Sequence, residues 1–158
     1  MDKNIRFVMA YSGKYCPVNK EKYRGDWRKI KWRSRWEYKV LKHLDSNPHV
    51  IWYSYETVVI PYKSTADGGK TRRYYMDFIV HYDNGLTALI EVKPYHETVM
   101  PSAPTKLTES AKMKFSKKAY TYQVNIDKWK TAEALCKDKG WKFFIVTEKN
   151  CGRMGLKF

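Results

Sequence analysis

Two acidic residues lie inside apolar segments of the sequence, where an ionised carboxylate is unexpected. Asp77 stands in the apolar and aromatic residues 74–80, and Glu91 stands in the apolar residues 88–92. A buried charge is costly unless it is paired or binds a metal ion. Both carboxylates are therefore candidates for chemistry, and the question is whether the fold brings them together.

The turn between the two segments decides this. Residues 83–85, Asp-Asn-Gly, are typical of a β-hairpin loop. If all three residues form the loop, counting back along both strands puts Asp77 opposite Glu91 on one face, with Cβ atoms about 5 Å apart. A two-residue turn at 84–85 would instead put the two acids on opposite faces of the sheet.

Two facing carboxylates repel each other unless a cation lies between them. Mg²⁺ prefers oxygen ligands and is typically bound by one or two carboxylates together with water and substrate phosphates. The pair Asp77 and Glu91 therefore predicts a Mg²⁺ site, with Mn²⁺ as an alternative. Lys93, on the same strand face as Glu91, would orient a metal-activated water or neutralise developing charge. The alternative is a strand-edge ion pair of Glu91 with Lys93, and Asp77 at the surface.

Glu37 is a third candidate carboxylate with a competing explanation. Ser34 and Glu37 have the spacing of a capping box, in which the acid satisfies free amide groups at a helix start. A carboxylate in the first turn can also point toward a metal over a neighbouring sheet. Local reasoning favours the cap.

The elements that must position these residues are predicted from apolar periodicity and from glycine, asparagine and proline breakers. They are a helix at 34–47, strands at 51–62, 74–82 and 86–93 forming a meander, a loop at 94–110, a helix from about 112 to 140, and a strand at 141–147. The sequence thus predicts a basic aromatic N-terminal arm at 1–31, one domain at 32–147, and a loose C-terminal tail at 148–158.

The composition favours a polyanionic partner. The 158 residues contain 31 Lys and Arg against 16 Asp and Glu, a net charge of +15 at pH 7. Such a surplus favours nucleic acid, although a solvated basic surface or an anionic membrane remains an alternative. No apolar run approaches the roughly 20 residues of a membrane span, and the first residues lack a signal-peptide segment. We therefore expect an intracellular protein, with nucleic acid rather than a membrane as its partner.

Histidine and cysteine offer no comparable site. The three cysteines are far apart in the sequence, and the four histidines form no pair at the spacing of metal ligands. Catalysis through either residue type is therefore not predicted.

An acid in the second strand followed by Glu91, Val92 and Lys93 in the third, in this element order, resembles the PD-(D/E)XK nuclease superfamily. The resemblance implies an α/β fold with a restriction-endonuclease-like core in the order helix, three strands, helix, strand, and a central mixed sheet. It also implies hydrolysis of DNA phosphodiester bonds. Met76 replaces the proline that usually precedes the aspartate in this motif.

A closer likeness covers nearly the whole chain. Residues 20–25, 32–37, 58–62, 75–78, 91–94 and 147–149 together resemble the head completion nucleases of contractile-tailed phages. This resemblance implies a metal-dependent DNA endonuclease with Glu37, Asp77, Glu91 and Lys93 as active-site residues, and it reverses the local preference for Glu37 as only a cap. It implies DNA and phage capsid, portal or neck proteins as partners, in the host cytoplasm during assembly or on the virion.

Further side chains are candidates for DNA binding, each against the alternative of an ordinary surface or packing residue. The polar candidates are Arg33, Arg35, Arg72, Arg73, Gln123 and Lys128. The aromatic candidates for stacking on unpaired bases are Tyr11, Tyr15, Tyr23, Trp27 and Trp32. Two other functions remain open: a non-catalytic protein that binds DNA ends in the phage neck, and an endonuclease of transposition or restriction. The sequence does not determine the oligomeric state.

Overall fold

The structure is a computed structural model that describes residues 12–158, so Tyr11 and the rest of 1–11 lie outside the described residues. The long helices and the strands of the central sheet follow one another in the predicted order of helix, strands, helix and strand. In chain order the elements are β1 (Gly13–Lys14), β2 (Lys31–Trp32), α1 (Arg35–Ser46), β3 (Val50–Tyr55), β4 (Val59–Ser64), β5 (Lys70–Tyr75), β6 (Phe78–Tyr82), β7 (Thr87–Val92), α2 (Glu109–Lys139) and β8 (Lys142–Val146).

Four strands form the central sheet in the order β3-β6-β7-β8. The β3–β6 and β6–β7 pairs are antiparallel, whereas β7 and β8 are parallel. A parallel pair needs a long crossover, which α2 provides. The predicted α/β fold with a central mixed sheet is therefore confirmed. The strands β4 and β5 pair with each other in a separate two-stranded ribbon.

The hairpin between β6 and β7 has the register on which the site depends. Phe78 pairs with Ile90, and the remaining pairs follow without a shift. Gly85 closes the loop with a φ of +83°, a left-handed conformation that glycine adopts without strain. The loop is therefore the three-residue one, and continuing the register by one position puts Asp77 opposite Glu91.

The predicted continuous strands at 51–62 and 74–82 are wrong, because each is interrupted. Three residues at 56–58 oppose two residues at 76–77 between the last pair of β3–β6 and the first pair of β4–β5. This is a β-bulge, and Glu56 within it has a φ of +53°. The extra residue bends the strands, so that β4 and β5 leave the sheet.

Two apolar layers enclose the sheet. On one face α1 contributes Val40, Leu41 and Leu44 to a core with the even-numbered residues of β6 and β7. On the other face α2 contributes Trp129 and Ala132 to a core with the odd-numbered residues and with the ribbon. Alternation along a strand therefore assigns Asp77 and Glu91 to the α2 face.

Both helices begin and end at the expected signals. Ser34 caps α1 by accepting a hydrogen bond from the Glu37 N–H, and Asn47 follows its last turn. Thr108 caps α2, which begins three residues earlier than predicted, and Gly140 ends it with a φ of +68°. Among residues 12–158 no helix is long and apolar enough to cross a membrane.

The C-terminal residues differ from the expectation of a loose tail. Cys151 and Leu156 are buried in the core on the α1 side. The Phe158 ring stacks on Trp36 with centroids 4.8 Å apart. Residues 148–158 are therefore packed, because they cover apolar surface that α1 leaves open. The division of the chain into arm, domain and tail stays a prediction.

Replacing Leu156 by alanine tests this packing. We expect the free energy of unfolding to fall by about 2 to 3 kcal/mol, since a buried leucine loses its contacts and leaves a cavity. Urea denaturation measures the change. The matched control is Leu107→Ala, because Leu107 is 78% exposed whereas Leu156 is 9% exposed. Equal effects at both positions would contradict a packed C-terminus.

Candidate active site

Asp77 is held at the bulge between β5 and β6. Its backbone carbonyl accepts a hydrogen bond from the Glu56 N–H at 2.9 Å, which ties it to the interrupted strand. Its Oδ2 accepts from the Val92 N–H at 2.7 Å. The carboxylate is thereby fixed against the end of β7.

Glu91 is 4% exposed and has two partners. The Tyr74 hydroxyl donates to Oε2 at 2.8 Å, and Lys93 Nζ lies 3.3 Å from Oε1. The hydroxyl and the ammonium group together satisfy a charge that would otherwise be costly to bury. Burial, followed by the Glu91 charge, raises the pKa of the Tyr74 hydroxyl.

The pKa of Asp77 is perturbed by its surroundings. Burial and then the negative charge of Glu91 raise the pKa of Asp77 well above its ordinary value, and Glu37 adds to this rise. The Val92 hydrogen bond and Lys93 act in the opposite direction. Burial and the facing carboxylate both disfavour the ionised form of Asp77, and a proton or a cation would relieve this.

Lys93 supplies part of the positive charge that the carboxylates require. Its Nζ is 3.3 Å from Glu91 and 4.0 Å from Glu97. Burial alone lowers the pKa of Lys93, but Glu91, Asp77 and Glu97 outweigh burial and raise it. Lys93 is therefore charged at neutral pH and lies beside the carboxylates.

Glu37 serves the helix start and also influences the site. Its Oε2 accepts from the Arg33 N–H at 2.8 Å and from the Tyr55 hydroxyl at 2.6 Å, and Ser34 Oγ donates to Oε1 at 3.1 Å. The capping interpretation therefore holds. At the same time the charge of Glu37 raises the pKa of Asp77, which places it within electrostatic reach of the pair.

The donor set suits a hard cation. Asp77 and Glu91 offer carboxylate oxygens from facing positions, which is the number of protein ligands that Mg²⁺ often has beside water and phosphate. Within residues 12–158 no three His, Cys, Asp or Glu side chains converge closely enough to hold one metal ion. Asp77 and Glu91 would be the direct ligands of such a cation, and Glu37 as a third ligand stays a prediction.

Lys128 on α2 also reaches the site. Its Nζ lies 5.4 Å from the centroid of the Tyr74 ring. Burial lowers the pKa of Lys128, Lys93 lowers it further, and Glu91 and Asp77 oppose this. Two lysines thus approach the carboxylates, Lys93 from the sheet and Lys128 from the helix.

The remaining polar candidates lie on several different elements. Arg33 forms an ion pair with Glu56 at 3.2 Å, and Arg72 forms one with Asp67 at 2.6 Å. The Gln123 amide donates to Thr65 and Asp127. Arg35 is at the start of α1, and Arg73 is exposed on β5. Their roles in DNA binding stay predictions.

The aromatic residues of the arm are mostly packing residues. Tyr15 and Tyr23 are buried in the core on the α1 side, and Trp27 and Trp32 pack against it. The packing alternative therefore holds for Tyr15 and Tyr23, since a base cannot reach a buried ring. The prediction for Tyr11 falls outside the described residues.

Sequence reasoning missed Tyr55, Glu56 and Tyr74. In one continuous strand Tyr74 and Asp77 would lie on opposite faces, because their numbers differ by three. The bulge changes this alternation, so Tyr74 reaches Glu91. The run of aromatic residues around 74 was visible in the sequence, but nothing local marks the position of the bulge.

Comparisons with known proteins show the family of this chain. A family model described as "TnsA-like endonuclease N terminal" matches residues 47–148, a range that contains Asp77, Glu91 and Lys93. The chain is also similar to the head completion nuclease of Enterobacteria phage T4. The two are 47% identical over 149 residues, which cover 94% of this chain and 99% of the phage T4 protein.

Proposed function

This chain belongs to the TnsA-like endonuclease N-terminal family and to the same family as the phage T4 head completion nuclease, and from this premise we propose how it acts. It is an endonuclease of phage head completion that hydrolyses DNA phosphodiester bonds with a divalent metal ion, Mg²⁺ or Mn²⁺. The observation that carries the metal-dependent mechanism is the register that puts Asp77 opposite Glu91 beside Lys93.

In this mechanism Asp77 and Glu91 would hold the metal ion. When bound, it supplies a water of lowered pKa and stabilises the charge on the attacked phosphate. The Val92 N–H fixes Oδ2 of Asp77, while the Tyr74 hydroxyl orients Glu91. Lys93 Nζ orients the attacking water or binds a phosphate oxygen, because it is charged and lies on the same face.

Lys128 and Glu37 would act around this centre. Lys128 brings a second ammonium group from α2, which would bind a phosphate of the DNA strand. Glu37, at the start of α1, would be a third ligand of the metal ion, as the family likeness implies. We also propose capsid, portal or neck proteins as partners, in the host cytoplasm during assembly or on the virion.

A non-catalytic DNA-end clamp would not need this arrangement, since two buried acids facing a DNA phosphate repel it. The family match is compatible with a transposition-type endonuclease, but the likeness to the phage protein covers far more of the chain.

Cleavage of supercoiled plasmid tests the proposal. We expect nicked and linear products with Mg²⁺ or Mn²⁺ and none in EDTA. Glu91→Gln should lose the activity, whereas Glu133→Gln, at an exposed position of α2, should keep it. Cleavage in EDTA, or equal cleavage by the Glu91 variant, would contradict a metal-dependent site at this place.

The substitution Glu37→Gln separates the capping role of Glu37 from its role in catalysis. Glutamine can fill the same position of a capping box, so the free energy of unfolding should change by less than about 1 kcal/mol. Loss of the negative charge near Asp77 should lower the cleavage rate about 10- to 100-fold, as for other residues around a metal site. Urea denaturation and plasmid nicking measure the two effects. Unchanged cleavage would reduce Glu37 to a helix cap.

A further inference from the structure

The ribbon of β4 and β5 presents one open face. Ile60, Tyr62 and Tyr74 are buried against α2. Because successive side chains of a strand point to opposite faces, the other residues of both strands point away from α2. The cross-strand pairs on this open face, from the bulge outward, are Val59 with Tyr75, Pro61 with Arg73, and Lys63 with Thr71. We call these six residues the ribbon face.

The ribbon is held firmly on α2. Asp127 accepts a hydrogen bond from the Thr65 N–H at 2.7 Å, and the Tyr120 hydroxyl donates to Asp67 at 2.9 Å. Arg72, which points to the buried side of the ribbon, is paired with Asp67. The ribbon face is therefore presented in one orientation relative to the active site.

The ribbon face combines apolar and cationic groups. Tyr75 is 51% exposed and Val59, its cross-strand neighbour, is 44% exposed. Within residues 12–158 the Tyr75 side chain has no hydrogen bond or ring contact. In the same part of the chain Arg73 and Lys63 form no ion pair. These groups are therefore available to a partner, in contrast to Arg72.

Position and charge identify the partner. Asp77 lies at the end of the sheet, where the charges of Glu37 from the α1 side and Lys128 from the α2 side both act on the carboxylate pair. Tyr75 precedes Asp77 by two residues, so the ribbon face, on the side away from α2, begins about 7 Å from Asp77 along the chain.

Arg73 lies about 6.5 Å beyond Tyr75 and Lys63 lies beyond Arg73. A nucleic acid strand bound at Asp77 would continue over a surface with an aromatic ring first and positive charges after it. Aromatic rings and basic side chains in sequence are the features that bind a nucleic acid strand.

We propose that the ribbon face binds the DNA strand next to the phosphate that is cleaved. The Tyr75 ring packs on a base, and Arg73 and Lys63 bind phosphates further along the strand. This inference rests on the proposed function, because it takes the strand at Asp77 to be the substrate.

Fluorescence anisotropy with labelled single-stranded and duplex DNA, in EDTA, tests the ribbon face without cleavage. Tyr75→Ala should weaken binding about tenfold to at least one of the two DNA forms, and Tyr75→Phe should restore it, because stacking uses the ring and not the hydroxyl. Arg73→Ala should reduce the slope of log K against log salt by about one. Arg153→Ala, an exposed arginine near the C-terminus, is the matched control and should leave the slope unchanged.

The outcomes separate this inference from the proposed function. Binding that depends on Tyr75 and Arg73 in a protein that never cleaves would keep the ribbon face and contradict the nuclease mechanism. Metal-dependent cleavage with unchanged binding by Tyr75→Ala would overturn the ribbon face alone. An equal change of slope for Arg73→Ala and Arg153→Ala would also overturn it, since the charge effect would then not be local. Thermal unfolding of each variant establishes that the ribbon is intact.

Discussion

Asp77→Asn is expected to reduce DNA cleavage by about a thousandfold, equivalent to roughly 4 kcal/mol of transition-state stabilisation. The substitution removes a metal-binding charge but keeps an oxygen that can accept the Val92 N–H. The measurement is the rate of plasmid nicking at saturating Mg²⁺. Asp138→Asn changes an exposed acid of α2 and should cleave like the unmodified protein. Cleavage by Asp77→Asn within tenfold of that rate would exclude Asp77 as a ligand.

The same variant should make the metal-free protein more stable at neutral pH. Burial and Glu91 raise the pKa of Asp77 in the folded state, whereas the unfolded value is about 3.9. Between these two values the folded state binds more protons, so the stability contributed by Asp77 is lost as the pH rises through the folded pKa. Removing the carboxylate removes this loss.

Urea denaturation in EDTA between pH 5 and pH 8 measures this effect. The free energy of unfolding of the unmodified protein should fall more steeply with rising pH than that of Asp77→Asn. Mg²⁺ without DNA should stabilise the unmodified protein and have less effect on the variant, because ligand binding to the folded state adds to its stability. A variant that is less stable than the unmodified protein at pH 8 would contradict this account.

Lys93→Met is expected to reduce cleavage about 100- to 1000-fold. Methionine keeps much of the apolar stem but removes the ammonium group 3.3 Å from Glu91. Because this leaves Glu91 without its charged partner, the free energy of unfolding should also fall by about 2 kcal/mol. The raised pKa of Lys93 keeps it charged throughout pH 5 to 9, so its stabilising contribution should be constant there and lost only in strong alkali.

The second lysine provides the comparison. Lys128→Met should weaken DNA binding more than it slows cleavage at saturating DNA, because Lys128 lies over the Tyr74 ring rather than beside a carboxylate. Lys130→Met, at an exposed position two residues later, is the control for charge loss on α2. Cleavage rates at saturating DNA and anisotropy in EDTA separate the two effects. A larger loss of rate for Lys128→Met than for Lys93→Met would reverse the assigned roles.

The sequence by itself determined which two carboxylates form the centre of the candidate site and limited their register to two possibilities. A three-residue Asp-Asn-Gly loop places Asp77 opposite Glu91, a two-residue turn does not, and the structure has the three-residue loop. The start and end of α1 are equally local, since Ser34 caps one end and Asn47 follows the other. These predictions succeeded because each depends on a few neighbouring residues.

Only the tertiary structure decided what surrounds this centre. The bulge at 56–58 depends on how two distant strands pair, and it moves Tyr74 onto Glu91. Lys128 reaches the site because α2, which connects β7 to β8, packs on the same face of the sheet as the carboxylates. The C-terminal residues are packed because α1 leaves apolar surface uncovered. Such contacts join residues far apart in the chain. They form only when the whole core is assembled, so no local pattern in the sequence reveals them.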